Sequence, residues 1–172
     1  MTDLSLAADL DEPHFAPVTA GGVSLCHRPH TAIWSVAPFA KTEAAVVKSL
    51  KLPPIGQATK SAFWAGHRQW LLRDVAMPKS KRAAITDQTG GWIIFTLSGP
   101  GAADVLARLC PLDLRDAQFP VGASARTEFA HMMALITRAN DGFEIWVMRS
   151  FAKTAHHHAV DALRSVAAQN GR

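Results

Sequence analysis

The chain has 172 residues, 48% hydrophobic and 19% charged, enough apolar material for one domain or two small joined lobes and too much for a disordered chain. Its net charge of +4 at pH 7, with a pI near 9.4, is only mildly basic, and the basic residues are scattered, which sets it apart from an arginine-rich nucleic-acid binder. No apolar run approaches the roughly 18 residues a membrane span needs, and the acidic start MTDLSLAADLDEP lacks the basic region of a signal peptide, so a cytoplasmic protein is expected.

Residues 1–22, with Asp3, Asp9, Asp11, Glu12, Pro13, Pro17 and Gly21-Gly22, read as an N-terminal tail, on which Leu4, Leu6 and Leu10 are the residues able to dock on a neighbour. From Val23 the pattern becomes strand-like: Val23 and Leu25, then Ile33, Trp34 and Val36, flank a turn at Arg28-Pro29-His30. A helix is predicted over Lys41 to Leu50, with Ala44, Val47 and Leu50 or Leu52 on its inner side, ended by Pro53-Pro54. SAFWAGHRQWLLR, Ser61 to Arg73, reads as a hairpin turning at Gly66-His67. The loop from Asp74 to Ala84 carries the densest basic cluster, Lys79, Lys81 and Arg82, either a solvated loop or a surface for an acidic partner.

The second half repeats this order. Asp87-Gln88-Thr89 reads as a turn, Trp92 to Leu97 as a strand, and Ser98-Gly99-Pro100-Gly101 as a turn into a helix whose buried face is Ala102, Val105, Leu106 and Leu109. Ala125 to Ile136 is predicted as one long strand, Asn140-Asp141-Gly142 as a hairpin turn and Phe143 to Met148 as the return strand. A last helix over about Phe151 to Ala168 has Phe151, Ala155, Ala159, Leu163 and Val166 on its inner face, with Ser150 as a plausible cap. Val46 to Leu50 lines up with Val105 to Leu109, and Trp70-Leu71-Leu72-Arg73 with Trp146-Val147-Met148-Arg149. The expected fold is therefore α+β: a first β-α-β-β module at 23–84, a second at 85–172 with its C-terminal helix, and largely antiparallel sheet, the modules burying their apolar faces together or side by side.

The residues argue against several chemistries. Gly99-Pro100-Gly101 lacks the last glycine of a dinucleotide loop. Asp104 stands there instead, where its charge would repel a pyrophosphate, and Pro100 removes a donor. His156-His157-His158 are consecutive on a predicted helix, about 100° apart, and cannot close on one metal ion; no metal site is expected. Cys26 and Cys110 lack CxxC spacing and are expected as free thiols. No catalytic residue is nominated. Arg126, beside Glu128, is either a solvent-facing neighbour or a grip for a carboxylate or a partner's backbone, and Arg149 is placed to meet Asp87 or Glu128. The tryptophans Trp34, Trp64, Trp70, Trp92 and Trp146 are expected as core and interface anchors.

Taken in order, Asp87-Gln88-Thr89, Trp92, Leu97-Ser98-Gly99-Pro100, Val105-Leu106-Ala107, Asp113-Leu114, Phe119-Pro120, Arg126-Thr127 and Arg149-Ser150-Phe151-Ala152 resemble the gamma subunit of heterotetrameric sarcosine oxidase, as does the Trp64 to Leu72 hairpin. Where that family usually has a Pro-Asp-Glu turn, this chain has His67-Arg68-Gln69. The resemblance covers roughly Val23 to Val166 and implies a fold like the folate-binding domain of the glycine-cleavage T-protein and related aminomethyltransferases. It further implies a non-catalytic, stabilising subunit of a complex that oxidatively demethylates sarcosine to glycine, with tetrahydrofolate as one-carbon acceptor. The partners would be alpha- and beta-type large subunits carrying FAD, FMN, NAD, zinc and the tetrahydrofolate; neither nucleic acid nor membrane is expected. The alternative is a stand-alone folate-binding, aminomethyltransferase-like protein, for which Asp87, Arg126 and Glu128 are the only folate candidates.

Overall fold

β2 (Val23–His27) pairs antiparallel with β7 (Trp92–Ser98), bringing Leu25 opposite Leu97. The computed structural model describes residues 15–29 and 31–170. The six-stranded sheet runs β1-β2-β7-β10-β9-β8, adding β1 (Val18–Ala20), β8 (Ser124–Phe129), β9 (Met132–Ala139) and β10 (Gly142–Met148). The four-stranded sheet runs β4-β5-β3-β6, from β3 (Ile33–Pro38), β4 (Ala62–Gly66), β5 (Gln69–Arg73) and β6 (Ala83–Asp87). All strand pairings are antiparallel, as expected for the α+β class.

Alternation of side chains along each strand sorts the core into layers. Ile33, Phe63, Ala65 and Leu71 of the small sheet meet Trp92, Ile94, Leu135 and Trp146 of the large one. The outer face of the small sheet (Val36, Ala62, Trp70, Leu72) packs on Val46 of α1 (Glu43–Leu50). The outer face of the large sheet, including Phe95, Leu97, Ile136, Phe143 and Ile145, packs on α2 (Ala102–Leu106) and α3 (Ala152–Asn170). The two modules thus bury their apolar faces against each other, and helices close the two outsides.

The repeat is visible in this arrangement. β3-α1-β4-β5 and β7-α2-β9-β10 place a central strand beside the second arm of a hairpin: Trp70 faces Val36 across one pair and Trp146 faces Ile94 across the other. Val46 and Val105, aligned in the sequence, are both fully buried. The outer neighbour of each central strand, however, is exchanged. β2 precedes β3 in the chain but lies beside β7, and β6 precedes β7 but lies beside β3.

This exchange corrects the expected boundaries. The division at 84/85 falls inside β6, because Ala83 and Ala84 continue the pairing with β3 that Ile85 to Asp87 make. The tail is also shorter than 22 residues. Val18 to Ala20 fold back as β1 through a turn at Gly21-Gly22, both with φ above zero, and Phe15 stacks on His156 with ring centroids 4.6 Å apart. Residues 1–14, with the three leucines, lie outside the described residues, as does His30 of the 28–30 turn.

Three local expectations also change. The predicted strand from Ala125 to Ile136 is a hairpin, β8 and β9, turning at Ala130-His131 with φ of 47° and 67°. α1 starts two residues later than predicted and buries Val46, while Ala44 is exposed and Val47 and Leu50 are half-buried; Leu52, just beyond the helix, is buried. Phe151 is 43% exposed, since Arg149 to Phe151 form a 3-10 turn that swings it off the inner face before α3 begins; Ser150 lies within that turn rather than capping the helix. Ala155, Ala159, Leu163 and Val166 are buried as predicted.

Candidate functional site

The strongest polar constellation among the described residues lies between the sheets, at one end of their shared core. Arg73 ends β5, an apolar strand whose pleat turns this last side chain toward the large sheet, and it is 3% exposed. Its Nη1 donates to Oε2 of Glu144, on β10, at 2.7 Å. The guanidinium also sits over the rings of Phe63 and Trp146, 4.7 and 5.1 Å from their centroids.

Two further charges close the set into a ring. Arg28, just beyond β2, approaches Oε1 of Glu144 at 3.5 Å and donates to Oδ2 of Asp74 at 3.2 Å. The same Asp74 oxygen lies 3.5 Å from Nε of Arg73. Two arginines and two carboxylates therefore alternate around the ring, each cation touching both anions. A cavity of about 460 Å³ opens beside it, lined in part by Thr59, Lys60, Phe63 and Thr137. Paired this way, the charges clamp β2, β5 and β10 together.

The strand-to-helix turn at Gly99-Pro100-Gly101 is structural. Gly99 has φ of 111°, and a side-chain carbon there would overlap the Gly22 carbonyl oxygen and lie 3.1 Å from Cα of Val23. The glycine lets the turn pass over the start of β2. Asp87 ends β6, with Oδ1 accepting from the Thr89 backbone N–H at 2.8 Å, so Asp87-Gln88-Thr89 is the predicted turn.

The three folate candidates do not converge. Arg126 and Glu128 share one face of β8, and Arg126 reaches the Ala65 carbonyl oxygen at 3.3 Å and Oε1 of Gln69 at 3.4 Å. The backbone that Arg126 holds is therefore that of β4 in the same chain, not a partner's. Asp87 lies on the opposite edge strand of the four-stranded sheet, three strand spacings from β4, or about 14 Å.

Of the three histidines, His156 stacks on Phe15 and lies near Phe95, His158 is also half-buried, and exposed His157 pairs with Asp161 at 3.2 Å. Burial, then the neighbouring His157 and His27, hold the His156 imidazole below its ordinary pKa. Cys26 and Cys110 are both free thiols, and burial pushes Cys110 up.

Arg73 and Glu144 were not singled out from the sequence. The signal available was a lone charge in each of two otherwise apolar strands, WLLR and FEIWVM.

A small and a large antiparallel sheet packed face to face between helices, with an internally compensated polar centre, define an α+β domain of two antiparallel sheets. The chain belongs to the family described as GCVT N-terminal domain, whose model matches residues 57–170. It is 29% identical over 119 residues to the sarcosine oxidase subunit gamma of Corynebacterium sp. (strain U-96), an alignment covering 63% of this chain and 58% of that relative's length. Its fold is that of a chain in the heterotetrameric sarcosine oxidase from Corynebacterium sp. U-96 in complex with pyrrole 2-carboxylate. The TM-score is 0.74 at 21% identity, over 87% of this chain and 88% of that one.

Proposed function

We propose that this chain is a gamma-type, non-catalytic stabilising subunit of a heterotetrameric sarcosine oxidase-like complex. That complex oxidatively demethylates sarcosine to glycine in the cytoplasm and passes the one-carbon unit to tetrahydrofolate. The observation that carries the reading is the combined likeness: sequence similarity to a gamma subunit, and a fold shared over nearly the whole of both chains with a member of such a complex. The ring of Arg28, Asp74, Arg73 and Glu144 supports it, since its buried pair, Arg73 and Glu144, joins the two sheets. Alpha- and beta-type large subunits are the partners, and FAD, FMN, NAD, zinc and tetrahydrofolate are assigned to them.

The family match favours one other reading, a stand-alone folate-binding protein. Two experiments separate them. Co-expressed with alpha- and beta-type subunits, the chain elutes with them on size exclusion. Purified alone, it is colourless and gives no calorimetric heat with tetrahydrofolate. Saturable tetrahydrofolate binding without co-elution replaces the subunit reading with the folate-binding one.

A further inference from the structure

Two sheets present four edges, and three of them are engaged within the chain. β1 lies against α3. The β4 and β8 edges face each other, with Oγ of Ser124 donating to the Trp64 carbonyl oxygen at 2.8 Å beside the Arg126 bond to Ala65. β6 is the remaining edge, and among the described residues it pairs with β3 alone.

The register states which groups this edge offers. The Gln88 N–H bonds the Ile33 carbonyl oxygen, and the Phe39 N–H bonds that of Arg82. Bonded and non-bonded pairs alternate in an antiparallel ladder. Thr86 and Ala84 therefore turn their backbone groups toward β3, and Ala83 and Ile85 turn theirs outward. Pro38 obeys the same parity: it faces Ala83 at a non-bonded position, where its missing N–H costs the ladder nothing.

The approach to this edge is basic and partly apolar. Lys79, Lys81 and Arg82 are exposed and have no carboxylate partner among the described residues. Lys79 and Lys81, with Met77, 56% exposed, and Ile85, line a groove of about 450 Å³. An edge and cations left without a partner among the described residues fit an extended, acidic chain.

We infer that β6 receives an extended acidic segment of a large subunit as an added strand. The segment bonds the outward backbone groups of Ala83 and Ile85, sets its carboxylates against Lys79, Lys81 and Arg82, and seats an apolar side chain beside Met77. The inference rests on the subunit reading proposed above and specifies its docking surface.

The test uses the full chain co-purified with its alpha- and beta-type subunits, compared with the full chain alone. Hydrogen exchange at Ala83 and Ile85 slows at least about tenfold on assembly, the protection expected of amides entering a ladder. The charge-reversed variant K79E/K81E/R82E weakens assembly by about tenfold or more at low salt and by less at high salt. Arg108→Glu, on the α2–α3 side, leaves assembly unchanged. A complex that forms while the two amides exchange as in the free chain overturns this inference and leaves the subunit reading standing. Concentration-dependent protection of these amides in the chain alone names a second copy as occupant and also overturns it. Failure to form any complex removes both.

Discussion

Arg73 and Glu144 stand 71 positions apart in the chain and meet at 2.7 Å, with side chains only 4% and 12% exposed. Each is taken out of water by the other's module, so the pair stabilises the fold only while both members are present.

Glu144→Ala leaves the Arg73 guanidinium buried with its closest anion gone, and is expected to cost about 3 kcal/mol or more. Arg28→Ala removes a member one-third exposed and should cost under about 1 kcal/mol. Replacing the central pair together, Arg73→Met with Glu144→Leu, should recover most of the Glu144→Ala loss. Urea unfolding midpoints of the variants measure all three.

Gly99→Ala should destabilise by about 2 kcal/mol or more, since the new methyl meets the backbone of Gly22 and Val23 at a φ of 111°. Thermal unfolding reports it. A midpoint unchanged from the parent chain would mean that β2 does not pass so close to this turn.

The β8–β9 turn runs the other way. Ala130 and His131 occupy left-handed conformations that asparagine and glycine adopt more readily. The double substitution Ala130→Asn with His131→Gly should raise stability by about 1 kcal/mol, visible as a higher melting temperature with the far-ultraviolet spectrum preserved.

His156 makes stability depend on pH. Its folded pKa is held down, by burial first and then by His157 and His27, so the fold favours the neutral ring. The unfolded chain takes up this proton near pH 6.5. The contribution is therefore whole above that pH and is lost as acidification passes from there down through the folded value. The melting temperature of the parent chain should fall between about pH 7.5 and about pH 5, and His156→Phe, which keeps a ring against Phe15, should flatten that fall.

Much of the second module was legible because its signals are local. Trp92 to Leu97 has strand composition, Pro100 and Gly101 open a helix, and Asn140-Asp141 turns a hairpin whatever surrounds it. The Ala130-His131 turn was illegible for the matching reason: neither residue signals a left-handed conformation, and the surrounding ladder imposes it. The partner of β6 was equally hidden. AAITD is short and half-polar, and only the distant β3 makes it a strand. The same holds for the polar centre, where four charges from three strand ends become one ring only after both sheets have packed.

The exchanged outer strands also set an order on biosynthesis. β2 leaves the ribosome early, yet Thr96 of its neighbour β7 follows Cys26 by 70 residues. At roughly 5–20 residues per second, that strand waits several seconds for the edge it must join. During the interval β2 has only β1 to pair with, and a two-stranded ribbon is too small to be stable in water. A nascent chain stalled before Trp92 therefore leaves β2 and the inner face of the small sheet without their partners, the form most open to chaperone capture or to pairing with the β7 of another copy.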